Sequence, residues 1–429
     1  MFRSGGTHRS TAFLFAQTHG QQQCRRVLHD YKWIRPNMDL YHIGNNCEHV
    51  IVVANSGRLD IDFYKYACDF YDAAEYVVHY LGEEAAKRYD IAKLDLWYFA
   101  MVYLYRQSLE LLLKASIFQT IVNTATQKAV VGEIRHDLKR AFEKLIEIRN
   151  LTIEKSENAK WLMDYLSDIS RLDSESDMFR YPFGNRFKLL FEKQTSISLI
   201  ATHDNMNKAY SIIKGIFDEG VFSEQVYNAY SPQLIIDGGY YYQQSVVGYK
   251  YSKHSFYPYF ASYVEVGNFL KSIIITQNKS NLFMPMCYLY RNAVELGLKR
   301  LIVEDSHIES SKALRITRKK KHSIQGLWNS IEEEVEKYAN APDDDTTLAD
   351  SQQYIQAFHN FDQNSDLFRY PCNKNMEVYF LDAKKFDIEN VASCFEELCN
   401  FLDSIDSMLS TIKDYEAEMA AEMASYYDY

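Results

Sequence analysis

Proline and glycine are scarce, at 7 and 16 in 429 residues. So few chain breakers exclude a loop-rich, collagen-like or low-complexity protein. The 7 cysteines (Cys24, Cys47, Cys68, Cys287, Cys372, Cys394 and Cys399) are odd in number and contain no C-x-x-C pair. That argues against a disulfide framework or a structural zinc site, and for a reduced, cytoplasmic setting. No apolar run reaches the roughly 18 residues of a membrane span; the most apolar stretch, 96–105, is closed by Arg106. Excess positive charge is missing too. A net charge of −11 argues against a chain coated in nucleic acid, while leaving room for a local basic site. There is no Gly-rich phosphate loop, zinc-protease motif or serine nucleophile elbow, so neither a cofactor nor a metal is expected.

What the chain has is apolar and aromatic surface, 47% and 15% of its residues, with 34 tyrosines. It also repeats itself. Tyr103-Leu104-Tyr105-Arg106, followed by Glu110 and Lys114, returns as Tyr288-Leu289-Tyr290-Arg291 with Glu295 and Lys299. The offset is the same throughout, 106 to 291 and 114 to 299. Downstream, His136-Asp137-Leu138 answers to His322-Ser323-Ile324. Then Ser176-Asp177-Met178-Phe179-Arg180-Tyr181-Pro182 answers to Ser365-Asp366-Leu367-Phe368-Arg369-Tyr370-Pro371. Three motifs in one order mean a duplicated module, and the length suits two domains.

Apolar residues at helical spacing predict helices over 60–81, 91–121, 136–148, 161–169 and 196–217 in the first copy. The second copy repeats them over 259–275, 282–303, from 322, 348–360 and 387–412. Residues 47–54 read as a strand or an extended lead-in. The Phe-Arg-Tyr-Pro segments, each followed by a polar turn and an apolar run (187–191 and 376–380), read as edge β-hairpins. The expected divisions are an N-terminal tail (1–45), domain 1 (46–225), a linker (226–255), domain 2 (256–413) and an acidic tail (414–429). The first tail is poor in acids and has no apolar core. It reads as a targeting peptide or an upstream start, with Met38 the alternative, and is expected to lie outside the fold.

Arg106, Glu110 and Lys114 fall at i, i+4 and i+8 on one helical stripe, as do Arg291, Glu295 and Lys299. Set among apolar residues, each stripe reads either as a buried ion-pair ladder or as a pocket for an anion such as phosphate. His136 and His322 open helices and are read either as caps or as acid–base or ligand contacts. Placed on a strand, Arg180 and Arg369 would face Asp177 and Asp366 or the helix stripe. Residues 315–321 hold Arg315, Arg318, Lys319, Lys320 and Lys321, the one strong basic run, read as a solvated loop or a phosphate contact.

This layout resembles the HEPN superfamily of prokaryotic helical domains, on the strength of the Arg, Glu and Leu-Lys of one helix and the His-Asp-Leu start of a later one. The resemblance covers two tandem copies from about residue 46. It implies a mainly α protein: two tandem up-and-down helical bundles, each with a small β-hairpin, packed as an intrachain pseudo-dimer. It further implies an anionic ligand (RNA or a nucleotide) or a protein partner, a setting in phage defence or a toxin–antitoxin pair, and homo-oligomers as a further option. The ligand-binding residues would be Arg106, Glu110, Lys114, His136, Arg180, Arg291, Glu295, Lys299, His322 and Arg369. Many members cut RNA without metal, using an Arg and a His with four to six residues between them. Here that spacing occurs at Arg3 and His8, Arg35 and His42, Arg300 and His307, and Arg315 and His322, with none repeated in both copies. A binding or regulatory module is therefore the first expectation. An endoribonuclease with Arg315 and His322 as its catalytic pair is the second, and a structural interaction module the third.

Overall fold

The computed structural model describes residues 32–45, 47–184, 189–248, 256–339 and 341–427. The protein is mainly α, as expected. In the first half run α1 (Leu59–Tyr80), α2 (Ile91–Phe118), α3 (Thr124–Ile134), α4 (Leu138–Arg149), α5 (Glu157–Asp173) and α6 (Leu199–Glu219). The second half answers with α7 (Tyr257–Gln277), α8 (Phe283–Arg300), α9 (Ser310–Lys320), α10 (Ile324–Trp328), α11 (Glu332–Ala339), α12 (Thr347–Phe361) and α13 (Ile388–Tyr427). Short strands precede four of them: β1 (Val50–Val53), β2 (Thr195–Ser198), β3 (Gln244–Val247) and β4 (Lys384–Asp387).

The repeated motifs also share backbone conformations. Arg135 and Lys321, each just before its motif histidine, both take a positive φ, 49° and 51°. Ser176 and Ser365, at the start of the Phe-Arg-Tyr-Pro motifs, do the same at 63° and 62°. Few side chains tolerate such angles, so their recurrence at matched places marks one inherited backbone.

Two compact units form, and they do not follow the two sequence halves. The larger comprises Tyr41–Leu296 with Asn364–Ala392, and the smaller the described residues of Met1–Leu40 with Gly297–Gln363 and Ser393–Tyr429. The larger unit is built on α2, which is buried on every side from Trp97 to Phe118. A helix buried all round has no solvent face to offer and must be central. Within this unit the halves exchange strands. β1, which leads into α1, pairs antiparallel with β4, with Val50 opposite Asp387 and Val53 opposite Lys384. β3, at the end of the expected linker, pairs with β2, with Thr195 opposite Val247 and Ser198 opposite Gln244. Each half thus begins on the strand with which the other half's last helix begins. Two-stranded ribbons this short are not stable alone and need the helices beneath them.

Several expectations are corrected. The Phe-Arg-Tyr-Pro segments are helical turns and not strands: the amides of Arg180 and Tyr181 both bond to the Asp177 carbonyl (3.0 and 2.9 Å). Those of Arg369 and Tyr370 do the same to Asp366 (3.0 and 2.9 Å). The expected hairpins shrink to one antiparallel bridge each, Phe183 with Leu189 and Cys372 with Val378; 185–188 lie outside the described residues. The basic run at 315–321 is the end of α9 and the residue after it and not a loop, and 124–134, outside the predicted helices, is α3. The acidic tail continues α13 to Tyr427.

Of the N-terminal tail, 1–31 lie outside the described residues, and so does the Arg3 and His8 pair. The remainder is docked in place. Lys32 meets Glu396 at 2.7 Å, Arg35 meets Glu397 at 2.9 Å, and Trp33 packs edge-on to Phe401 at 5.9 Å. Two cations flanking Trp33 and Ile34 match two acids and an aromatic on α13, a pairing invisible along the chain. Residues 249–255 of the linker also lie outside the described residues. Among the described residues no helix is long and apolar enough to cross a membrane, and six cysteines are free thiols.

Helices α7 and α8 approach closely at a glycine. A Cβ at Gly267 of α7 would come within 3.0 Å of Cε1 and 3.2 Å of Cδ1 and Cζ of Tyr290 on α8. The substitution Gly267→Ala should cost about 1–3 kcal/mol by overpacking. Gly132→Ala, on exposed α3 with nothing within 4 Å, should instead stabilise by up to about 1 kcal/mol through helix propensity. Urea unfolding of both variants checks the opposite signs.

Candidate functional site

The motif residues of α2 meet inside the larger unit. Arg106 and Glu110 are each 1% exposed and Lys114 4%, so their charges must be answered by protein. Arg106 sends Nε to Oδ2 of Asp173 (2.9 Å), Nη1 to Oε2 of Glu110 (2.9 Å), and Nη2 to the carbonyls of His136 (2.6 Å) and Asp173 (3.2 Å). Asp173, at the end of α5, uses its other oxygen to accept the amides of Asp177 (2.7 Å) and Met178 (3.0 Å). One carboxylate thereby ties α5, the Phe-Arg-Tyr-Pro turn and α2 together.

Glu110 accepts four donors. Oε2 takes Arg106, and Oε1 takes Lys114 (2.6 Å), the Tyr370 hydroxyl (2.7 Å) and His136 Nδ1 (3.0 Å). Burial alone would raise its pKa, but Lys114, His136 and Arg106 outweigh that and hold it well below the usual carboxylate range. Tyr370 belongs to the second half's motif. The exchange is reciprocal: Tyr181, of the first half's motif, donates to Oε1 of Glu295 on α8 at 2.8 Å, beside Arg291 at 3.2 Å.

These distances favour the ion-pair ladder over an open pocket around Arg106. Nearly all its N–H groups are spent on protein acceptors, and an anion would have to displace Asp173. Arg291 and Glu295 are likewise wholly buried. Lys299 lies at the start of the smaller unit's second segment, 8% exposed.

The histidines are not caps. Asp137 accepts the Arg140 amide at 3.2 Å and Ser323 accepts that of Gly326 at 3.1 Å, so the cap is the residue after each histidine. Short polar side chains reach the second or third helical amide, whereas an imidazole one place earlier points elsewhere. His136 points to Glu110, with its side chain about one-third exposed. Glu110 favours the charged ring, yet burial, Lys114 and Arg369 prevail and hold its pKa down at about 4. A neutral ring donates Nδ1–H to Glu110 and leaves Nε2 as an acceptor.

Arg180 and Arg369, 3% and 4% exposed, converge on the tyrosines of the repeated helix motif. Tyr103 and Tyr288 stack at 4.9 Å between ring centres, 22° from parallel. The Arg180 guanidinium lies 5.8 Å from the Tyr103 ring, and that of Arg369 lies 6.0 Å from Tyr103 and 5.5 Å from Tyr288. Arg180 pairs with Asp177 at 3.0 Å, as its motif suggested. Arg369 instead donates to the Tyr370 hydroxyl at 3.0 Å.

In the smaller unit, Arg315 is exposed on α9 and His322 is half-buried in the turn after it. Arg315 makes no hydrogen bond or ion pair among the described residues, so nothing bonds it to His322. No group of three or more potential metal ligands occurs among the described residues. The sequence reading missed Asp173 and the tyrosine donors. Asp362 repeats Asp173 at the motif's own offset (173 to 362, 180 to 369), a signal that could have found it. Comparison with family models, curated proteins and solved structures returns no match.

Removing the central cation strands two buried carboxylates. Arg106→Met should cost about 3–5 kcal/mol, read as a lowered denaturation midpoint, far more than a surface ion pair would. The histidine makes a pH prediction. Its ring titrates near 6.5 when unfolded and about 4 in the fold, so the unfolded state binds more protons between those values. The stability it contributes is complete above pH 6.5 and falls as pH drops toward 4. His136→Asn keeps an N–H for Glu110 but does not titrate, and should flatten that part of the melting-temperature profile.

Proposed function

We propose that this chain is a HEPN-like binding protein whose ligand is RNA, held without cleavage by α9 and the turn after it. What carries the reading is the state of the cations there. Lys312, Arg315, Arg318, Lys319 and Lys321 are exposed and Lys320 is half-buried. None enters an ion pair among the described residues. A chain of net charge −11 with six unpaired cations on three helical turns concentrates its positive field there, and a phosphate backbone is the partner such a field attracts. Lys312, Arg315 and Lys319, at i, i+3 and i+7, share one face. The matching helix α3 holds a single cation, Lys128, whose Nζ donates to Asn375 at 2.9 Å. The interior ladders are saturated and serve the fold in this reading, and the HEPN resemblance supplies the setting, phage defence or a toxin–antitoxin pair.

A second reading is an endoribonuclease in which Arg315 and His322 act as the catalytic pair. It is favoured by one observation: an exposed arginine and a half-buried histidine on the same helix and turn.

Fluorescence anisotropy with a labelled single-stranded RNA tests both. If about four phosphates are neutralised, affinity should fall about 50-fold between 50 and 200 mM salt. The triple variant Arg315→Ala, Arg318→Ala, Lys319→Ala should bind more weakly at all salts, with a shallower salt slope. Intact RNA after incubation supports binding alone. Cleavage abolished by His322→Ala would establish the nuclease, and no salt-dependent binding would refute both.

A further inference from the structure

We propose that Arg180 and Arg369 hold a small inorganic anion, of halide or phosphate class, beside the Tyr103 and Tyr288 stack inside the larger unit. The site is separate from the α9 surface and does not depend on RNA binding. Its basis is a pair of buried guanidinium groups with donors left over. Arg180 sends Nε to the Ser176 carbonyl (2.6 Å) and Nη2 to Asp177 (3.0 Å), but its buried Nη1 has no acceptor. Arg369 sends Nη2 to the Tyr370 hydroxyl (3.0 Å), while its buried Nε has none. No carboxylate lies within ion-pair distance of Arg369 among the described residues.

Aromatic faces do not replace a counter-ion here. A ring near a buried cation is worth about 0.5–2 kcal/mol, against several kcal/mol for removing a charge from water, and it accepts neither orphaned N–H. The tyrosines cannot supply the charge by ionising, because burial raises the Tyr103 phenol well above its ordinary pKa and the Tyr370 phenol likewise. Both cations approach the same ring, so each also raises the cost of burying the other. What the arrangement lacks is a negative acceptor for these two orphaned donors. Tyr103, Tyr288 and Tyr263 are 0% exposed, and Tyr181 and Tyr370 8%. Walls this closed suit an ion of a few atoms and exclude a nucleotide or an RNA strand.

The test uses the full chain, melted in sodium gluconate, whose anion is too large to enter, and then in sodium bromide or phosphate at matched ionic strength. Saturating bromide or phosphate should raise the midpoint by about 3 °C. Arg369→Met, which removes one cation and leaves Arg180 with Asp177, should lose that increment. If this variant does not fold, crystals of the unaltered protein grown with bromide decide the matter. An anomalous peak within hydrogen-bond distance of Arg180 Nη1 and Arg369 Nε supports the site. Equal midpoints in all three salts, or bromide only at exposed lysines as an adventitious ion only, would overturn it.

Discussion

Glu110 is ionised, out of reach of water and surrounded by four donors drawn from three separate stretches of chain. Two, Arg106 and Lys114, come from its own helix; His136 comes from the start of α4, and Tyr370 from the turn after α12. A charge buried this completely tolerates no vacancy, because each missing donor leaves desolvation unanswered. The carboxylate therefore dictates where those segments go. Compared with a well-packed apolar core, such a network adds little net stability. Its effect is on specificity: Tyr370 cannot slide along α2 without abandoning Glu110, nor Arg106 without abandoning Asp173.

The same logic explains why the two halves trade parts. Tyr370 reaches the first half's carboxylate, and Tyr181 reaches the second's. β1 joins β4, and β3 joins β2. A module that leaves a carboxylate short of a donor and a strand short of a partner is incomplete alone, and a second copy supplies both. Reciprocal exchange of this kind is what a symmetric pair of identical chains would make, here made within one chain. It also removes a hazard, since each four-residue strand edge is met on one side by the other half.

How much of this could be read along the chain follows from the range of the interactions. Helices with a one-sided apolar pattern, such as α4 with Leu138, Ala141, Phe142 and Leu145 inward, announce themselves, and so does the buried stripe on α2. The repeated motifs were legible as a duplication because identity at a fixed offset needs no structure. The turn at Phe-Arg-Tyr-Pro was not. Its helical form depends on Ser176 and Ser365 at positive φ and on Asp173 accepting two amides, and an aromatic-rich segment ending in proline looks locally like an edge strand. Helix α3 was missed because only Gln127, Val130 and Ile134 are buried, too few to set a period. The docking of Lys32 and Arg35 depends on acids more than 350 positions away, beyond any local pattern.

Duplicated modules diverge where nothing holds them. Inside, the copies keep the arginine, the glutamate, the tyrosine donor and even the strained backbone angles, because changing one member alone strands another. On the surface that coupling is absent. The helix before the motif histidine carries one cation in the first half and five in the second, and none of the five enters an ion pair or a side-chain hydrogen bond among the described residues. Unpaired like charges on one short helix repel each other and contribute nothing to the fold. Under the proposed function, their presence in one copy alone makes the second half the one that would face a polyanion. The first half's contribution is then to complete its twin, through Tyr181 on Glu295 and β2 on β3, so that the module bearing the charged helix has a complete interior.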